Sequence, residues 1–361
     1  MKSEVRNPKS EIARGLLRLL APFLIATAPA RAEDWRLLTF SEPHMGTEFT
    51  IRAWTEEGRE ADLTLSVRSA FVRIAALDAA LSDYRPESEI NALAKAPTGE
   101  PFPVSEDLFT LFEKAGRLTE DTDGAFDITA GPLIRLWRIS RKNNALPSPA
   151  QIASAKARTG FNHLVLDPAK RTITKKIDGM LFDLGAIAKG YASDVALAIL
   201  REDGFPRSLV AASGDIATGD APPGETGWRV GIETLEVGRD LKDLQTVTLV
   251  NQAISTSGDT RRFFEHEGVR YSHIVSTKTG LGLTERIGAS VIAPDATTSD
   301  SHSTAVVLLG VKEGLQFIRD RRGVECQIVV LRDGRETFLR SDGFPSPQGS
   351  QTQEKSAVPA P

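Results

Sequence analysis

Cysteine is almost absent from this 361-residue chain, which contains only Cys326. With a single cysteine, the chain can form neither an intramolecular disulfide nor a Cys-x-x-Cys redox pair. Cys326 lies in the apolar run VECQIVV, which predicts a buried core thiol. The fold must therefore be stabilised by its hydrophobic core, for which 40% hydrophobic residues are sufficient.

Several motifs of common enzyme classes are also missing. The chain has no G-x-G-x-x-G fingerprint, no G-x-x-x-x-G-K-[ST] phosphate loop, no H-E-x-x-H and no G-x-S-x-G. These absences remove the usual sequence support for a Rossmann-type dinucleotide domain, an NTPase, a zinc protease and a serine hydrolase of the elbow type.

The first 32 residues have the three-part pattern of a secretory signal peptide. A basic segment precedes the apolar run Gly15–Ala28, and Ala30-Arg31-Ala32 follows it. Arg18 interrupts this run, and its uninterrupted part is shorter than the roughly 20 residues of a spanning helix. We therefore expect cleavage after Ala32, no stable membrane insertion, and export, to the periplasm if the host is Gram-negative.

The predicted mature protein is acidic. Residues 1–32 carry six basic and two acidic side chains, so removing their net charge of +4 lowers the formal charge from −4 to −8. This charge argues against general nucleic-acid binding. The predicted domain spans residues 33–344, and the tail 345–361 lacks a hydrophobic pattern and is expected to be disordered.

Hydrophobic periodicity predicts an α+β fold. Strands are predicted within 37–54 around a turn at 43–46, at 163–166, 172–175, 180–184 and 208–213, in a series between 229 and 294, and at 325–332 and 335–340. Helices are predicted near 62–81, 105–122, 127–141, 149–159, 189–203, 298–309 and 311–321.

The segment Asp300-Ser-His-Ser-Thr304 is a candidate metal site. Helical spacing places Asp300 and Thr304 one turn apart on one face, where a carboxylate and a hydroxyl can bind one hard cation. The alternative is a helix start capped by Thr298, Ser299 or Asp300, which spacing alone favours.

The segment 182–190, FDLGAIAKG, is a candidate phosphate site. An apolar strand ending in Asp183 leads through a turn of small residues to a helix with an early Lys189. Backbone amides at such a turn can approach a phosphate, and the lysine can neutralise it. A tight turn with a solvated lysine is the alternative.

Two further segments pair aromatic or histidine side chains with polar groups. Phe126 and Asp127 lie in GAFDITAGPL, and His273 lies in YSHIV at a predicted strand centre. An aromatic ring and a histidine can serve ring binding and proton transfer. The other histidines, His44, His163, His266 and His302, are interpreted as surface or core residues.

Eight segments, read in order, resemble the FAD:protein FMN transferase (ApbE) family over roughly residues 36–320. They are HMGT (44–47), LSDYRPESEI (81–90), GAFDITAGPL (124–133), FDLGAIAKGYA (182–192), SGD (213–215), ISTSGD (254–259), YSHIV with TG (271–280) and DSHST (300–304).

The resemblance implies a site and a fold. The implied FAD contacts are Met45, Tyr84, Ala125, Phe126, Asp127, Asp183, Lys189 and Ile274. The implied ligands of Mg²⁺ are Asp300, Thr304 and the backbone carbonyl of Ala186. The implied α+β fold has two intimately packed T-fold-like units of sheet and helix, with FAD in a cleft between them.

The implied activity is Mg²⁺-dependent transfer of the FMN moiety of FAD to a Thr or Ser hydroxyl of an acceptor protein, through a phosphoester bond, with release of AMP. The family's acceptor pattern, D-x-x-[ST]-G-A-[ST], is absent from this chain, so we expect it to modify another protein. A FAD pyrophosphatase and a non-catalytic exported FAD-binding protein are the alternatives.

An acceptor hydroxyl needs a general base, and His273 is the first candidate because it lies in a family motif beside Ile274. Asp183 is the alternative base, and a role for His273 in ordering the strand or packing near the flavin also remains open.

The chain departs from the family pattern in three places. Ser213-Gly214-Asp215 replaces a Gly-Gly-Asn run, Ser276-Thr277-Lys278 replaces residues around an Asp-Pro, and Ser303 stands where some members have a second carboxylate. These departures bear on binding of the adenylate half of FAD and on a second metal.

Overall fold

A computed structural model describes residues 34–235, 245–259 and 263–348. The predicted signal peptide and the tail beyond residue 348 lie outside these ranges. None of the helices within them combines the length and apolar character that crossing a bilayer requires.

The predicted α+β class is confirmed, with seven α-helices and fifteen strands in the described ranges. The helices are α1 Glu60–Leu81, α2 Glu89–Lys95, α3 Glu106–Asp121, α4 Gly131–Asn143, α5 Pro149–Lys156, α6 Ala188–Glu202 and α7 Ala296–Arg319. The strands are β1 Trp35–His44, β2 Thr47–Glu56, β3 Phe102–Pro103, β4 Leu164–Asp167, β5 Thr172–Lys175, β6 Ser208–Ala212, β7 Asp215–Thr218, β8 Trp228–Ile232, β9 Gln245–Leu249, β10 Ala253–Gly258, β11 Phe263–His266, β12 Val269–Ser272, β13 Ile287–Ala293, β14 Glu325–Arg332 and β15 Arg335–Arg340.

Eight strands form one antiparallel sheet in the order β1-β2-β6-β7-β10-β13-β14-β15. The sheet has two halves, and each half packs against its own helices. The strands β1-β2-β6-β7 pack against α1 and α6, and the strands β10-β13-β14-β15 pack against α7. The two halves are continuous because residues 215–217 of β7 pair with residues 253–255 of β10. The sheet therefore brings the Asp215 end of β7 beside β10.

The main core lies between this sheet and the helices. Residues of β2 alternate between buried and exposed, as expected for a strand covered on one face, whereas all seven residues of β13 are buried. On β13, Val291 faces the helices and Ile292 belongs to a second cluster with the hairpin β8–β9. Helices and hairpin therefore cover opposite faces of the central strands.

The helix at the candidate metal site is held at its start by two carboxylates. Asp295 is the N-cap and accepts a hydrogen bond from the Thr298 amide at 2.8 Å. Asp194 of α6 accepts from the amides of Ala296 at 2.7 Å and Thr297 at 2.8 Å. These bonds satisfy amides that a helix start leaves without partners and fix α7 against α6.

The two helices predicted at 298–309 and 311–321 form one helical run with a break. Gly310 has φ 77° and ψ −177° inside α7, a conformation that residues with a side chain rarely adopt. The predicted boundary between two helices is therefore confirmed at Gly310.

One local prediction was wrong. Residues 180–184 form no strand, because the Asp183 amide donates to the carbonyl of Ile128 instead of to a neighbouring strand. At the start of the predicted tail, Gln348 and Thr246 exchange two backbone hydrogen bonds of 2.8 Å, so the described chain pairs with β9 at residue 348.

Candidate functional site

Two adjoining cavities, of about 700 and 290 Å³, lie where the predicted site residues meet. All twelve of those residues line one or both cavities, so the structure brings together segments from Met45 to Thr304. The cavities share the residues Tyr84, Arg138, Asp183, Gly185, Lys189, Asp215, Thr256, Ser257, Gly258 and His273.

The candidate metal residues lie inside α7 and not at its start. Asp295 caps the helix, so the interpretation of Thr298, Ser299 or Asp300 as the cap is wrong. Asp300 is 2% exposed and accepts a hydrogen bond from the Gly190 amide at 3.0 Å. Thr304 lines the same cavity, and its hydroxyl lies 2.9 Å from the Ser257 hydroxyl.

Lys189 joins two carboxylates at this site. Its Nζ forms an ion pair with Asp215 and lies 3.6 Å from Asp300 Oδ1. Burial and the charge of Asp215 raise the pKa of Asp300 to about 7. Burial alone would lower the pKa of Lys189. The charges of Asp215 and Asp300 have the larger effect and raise this pKa. Two buried acids share one cation, so ionising both carboxylates leaves a net negative charge that a bound cation would neutralise.

These residues fit a hard divalent cation. Asp300 and Thr304 supply oxygen atoms, and Ala186 lines the same cavity, where its carbonyl oxygen is the predicted third donor. No three His, Cys, Asp or Glu side chains among the described residues converge on one metal position. A site with few protein ligands, all of them oxygen atoms, suits Mg²⁺, because this ion retains bound water and binds phosphate oxygens.

Gly190 allows α6 to approach α7 closely. A Cβ at this position would lie 2.1 Å from the Ala296 carbonyl oxygen and 2.8 Å from the Asp300 Cβ. Since these contacts involve the backbone of α7, a side chain here would force the helices apart. The absence of a side chain at Gly190 therefore allows Lys189 to lie close to Asp300.

Gly190→Ala is expected to lower the free energy of unfolding by about 1–3 kcal/mol, the usual cost of overpacking. It should also disturb the candidate metal site, because the Gly190 amide and Lys189 would both move away from Asp300. Ala198→Ser, at an exposed position of the same helix, is the control. Denaturant unfolding of both variants measures the difference, and a Gly190→Ala variant as stable as wild type would contradict this interpretation.

Asp183 lies in a network that its sequence context did not reveal. Its Oδ2 accepts from Arg138 Nη2 at 2.6 Å, and its Oδ1 accepts from the Gly185 amide at 2.8 Å. Arg138 also pairs with Asp83 and lies over the ring of Tyr84. The basic residues of α4 were visible in the sequence, but their partners are distant in sequence, so spacing could not identify Arg138.

The segment 125–127 forms an apolar wall of the smaller cavity. Ala125 and Phe126 are buried, and the Asp127 carboxylate accepts from the Thr129 amide at 2.8 Å and the Phe161 amide at 3.0 Å. The Asp127 side chain thus holds this segment in shape. Burial raises the pKa of Asp127, and these hydrogen bonds oppose the increase.

One departure from the family pattern has a local function. Thr277 Oγ1 donates to the Gly124 carbonyl at 2.6 Å, and Lys278 lies 3.1 Å from Asp123. Thr277 and Lys278 therefore attach the segment after β12 to the loop that carries Phe126.

His273 and Ile274 follow the hairpin β11–β12. The prediction that His273 lies at a strand centre was wrong, because β12 ends at Ser272 and His273 is an exposed bend residue that lines both cavities. Ile274 is buried, and its amide donates to Ser272 Oγ at 3.1 Å. The buried Ile274 anchors the segment in which His273 lines the two cavities.

Met45 reaches the larger cavity from the turn between β1 and β2. It has φ 48°, in the left-handed region that few residues with side chains adopt.

His302 packs against the ring of a core residue. Its ring lies 5.2 Å from that of Phe317, and burial lowers the pKa of His302 to about 4.

Comparison with known proteins connects this site to a family. The family model described as "ApbE family" matches residues 45–328. The chain is 30% identical to an FAD:protein FMN transferase of Vibrio cholerae over 334 residues, covering 91% of this chain and 98% of that protein. It is 31% identical over 299 residues to one of Salmonella typhimurium, covering 79% and 84%.

Solved structures have the same fold. A mutant form of flavin transferase ApbE from Vibrio cholerae is similar with a TM-score of 0.76 and 28% identity over 86% of this chain and 98% of that one. The apo flavinyl transferase ApbE of Pseudomonas stutzeri is similar with a TM-score of 0.75 and 28% identity, covering 86% and 96%. The chain therefore belongs to the ApbE family.

Proposed function

We propose that this protein cleaves FAD in the presence of Mg²⁺ and transfers the FMN moiety to a Thr or Ser hydroxyl of another protein, releasing AMP. The observation that carries this proposal is the convergence of Asp300, Thr304 and Lys189 with the apolar Phe126 wall on adjoining cavities. Pyrophosphate cleavage requires charge neutralisation more than covalent chemistry, and this site combines a cation site with an apolar wall for a ring system.

Mg²⁺, held by Asp300, Thr304 and the Ala186 carbonyl, would neutralise charge that develops on the pyrophosphate. Lys189, at the start of α6, adds a positive charge beside the same cavity. Its ion pairs with Asp215 and Asp300 fix the ammonium group in place and limit its motion toward solvent.

The acceptor oxygen attacks the phosphorus on the FMN side, the new phosphoester bond forms, and the anhydride bond to AMP breaks. His273 takes the hydroxyl proton in this proposal. Asp183 is the weaker candidate, because its two oxygens already accept hydrogen bonds from Arg138 and Gly185. Taking up a proton would weaken these bonds. His273 is an exposed residue that lines both cavities.

Incubation with FAD, Mg²⁺ and a protein bearing D-x-x-[ST]-G-A-[ST] tests the proposal. Mass spectrometry is expected to show one FMN adduct on the acceptor and equimolar AMP, and the acceptor with Ala in place of its modified hydroxyl residue should show none. Free FMN without an adduct would indicate a pyrophosphatase, and bound but intact FAD would indicate a binding protein. The purified enzyme itself should carry no covalent flavin.

Export of the mature chain, to the periplasm in a Gram-negative host, belongs to the same proposal. It is supported by the basic, apolar and small-residue pattern of residues 1–32. Cell fractionation and the N-terminal sequence of the exported protein test it, and an N-terminus upstream of residue 33 would contradict cleavage after Ala32.

A further inference from the structure

Arg138 contacts three side chains of the cavity wall at once. Its Nη2 donates to Asp183 at 2.6 Å, its Nη1 donates to Asp83, and its Cζ lies 4.4 Å from the centre of the Tyr84 ring. The guanidinium side chain is 28% exposed, and the Asp183 side chain is 10% exposed. A partly buried cation therefore lies between two carboxylates and an aromatic ring.

We propose that Arg138 is a positioning residue for FAD, which neutralises Asp83 and Asp183 and fixes the Tyr84 ring so that the anionic dinucleotide can bind. The inference rests on the proposed function, because it assigns a role within the same cavities. It adds a residue that neither the metal site nor the proton transfer uses.

Arg138 balances the charge of two neighbouring acids, Asp83 and Asp183. Burial and the nearby charge of Asp183 raise the pKa of Asp83, whereas Arg138 lowers it. The two acids thus repel each other, and both would repel a pyrophosphate in the same cavity. The guanidinium removes this repulsion, since a charge-assisted hydrogen bond to each carboxylate pairs it with the cation.

Arg138 also supports the ring of Tyr84. Tyr84 is 71% exposed, so little of the core restrains its ring. The planar guanidinium of Arg138 packs against the Tyr84 ring. Its N–H groups point in fixed directions, which sets the positions of the two carboxylates that they bind. Arg138 therefore sets the plane of an aromatic side chain that lines both cavities.

The test uses Arg138→Gln, Arg138→Lys and the control Arg135→Gln. Arg135 lies on the same helix, is exposed, and has no acidic partner among the described residues, so the control removes the same charge without breaking the network. FAD affinity is measured by flavin fluorescence, and FMN transfer is measured separately at saturating FAD.

Arg138→Gln is expected to weaken FAD binding by about 10- to 100-fold while the transfer rate at saturating FAD changes much less. Arg138→Lys should recover part of the affinity, because it restores charge without the planar fork. Arg135→Gln should bind FAD within about twofold of wild type. A loss of fold alone would not produce this split between affinity and rate, nor the recovery by lysine.

Asp83→Asn combined with Arg138→Gln tests the neutralisation directly. This change removes one of the two repelling charges, so the double variant should bind FAD more tightly than Arg138→Gln alone. Wild-type affinity of Arg138→Gln, or no recovery in the double variant, would overturn the inference. Because FAD binding is measured without an acceptor, failure of wild-type protein to modify an acceptor would overturn the proposed transfer and not this role of Arg138.

Discussion

Asp300→Ala is expected to reduce Mg²⁺-dependent release of AMP from FAD by about 10³-fold or more. Asp300 is the buried carboxylate of the candidate metal site, and loss of a metal ligand removes several kcal/mol of charge stabilisation. Lys189 would then balance Asp215 alone, so the site would no longer offer a second carboxylate for a cation to neutralise. We therefore expect weaker Mg²⁺ binding as well as slower cleavage.

The matched variants separate loss of metal from loss of fold. Asp300→Asn keeps the size of the side chain and an oxygen that can accept from the Gly190 amide, so it should remain folded and still lose activity. Glu313→Gln removes a negative charge from an exposed position of the same helix and should retain wild-type activity. AMP release is measured against Mg²⁺ concentration. A wild-type rate for Asp300→Ala under limiting Mg²⁺ would refute the assignment.

Regular elements with strong periodicity could be predicted from the sequence. The helices α1 and α3 and the closing strands β14 and β15 appear within about two residues of the predicted limits. The strand β7 was missed because its four residues give little periodic signal, and its position is decided by pairing with β6 and β10. Residues 180–184 were misread because an apolar run cannot reveal which backbone it will pair with.

At the candidate site, family motifs predicted residues that line the same two cavities, but not the partners of their side chains. Lys189 was expected either to neutralise a phosphate or to be solvated, yet it pairs with Asp215, which stands where the family pattern has asparagine. Arg138 was missed because its partners are 45 and 55 residues away. Contacts of this kind depend on how α4 packs against the cavity, which local spacing does not specify.

His273 is expected to act as the general base that activates the acceptor hydroxyl. It is an exposed residue directly after β12 and lines both cavities. The competing base, Asp183, accepts hydrogen bonds at both carboxylate oxygens, and taking up a proton would weaken them. A Thr or Ser hydroxyl is a poor nucleophile without a base, and general-base catalysis contributes about 10²–10⁴-fold. His273→Ala and His273→Gln should therefore lower FMN transfer by that factor.

The decisive comparison measures FAD affinity and FMN transfer on the same preparation of each variant. FAD affinity should stay near the wild-type value, since His273 takes the proton and is not among the residues expected to hold the dinucleotide. His266→Gln, on the neighbouring strand β11, is the control for removing a histidine from this hairpin. If transfer by His273→Gln stays near wild type, His273 is not the base, and Asp183→Asn becomes the variant that tests the alternative. If affinity and transfer fall together, His273 orders the binding site instead of moving the proton.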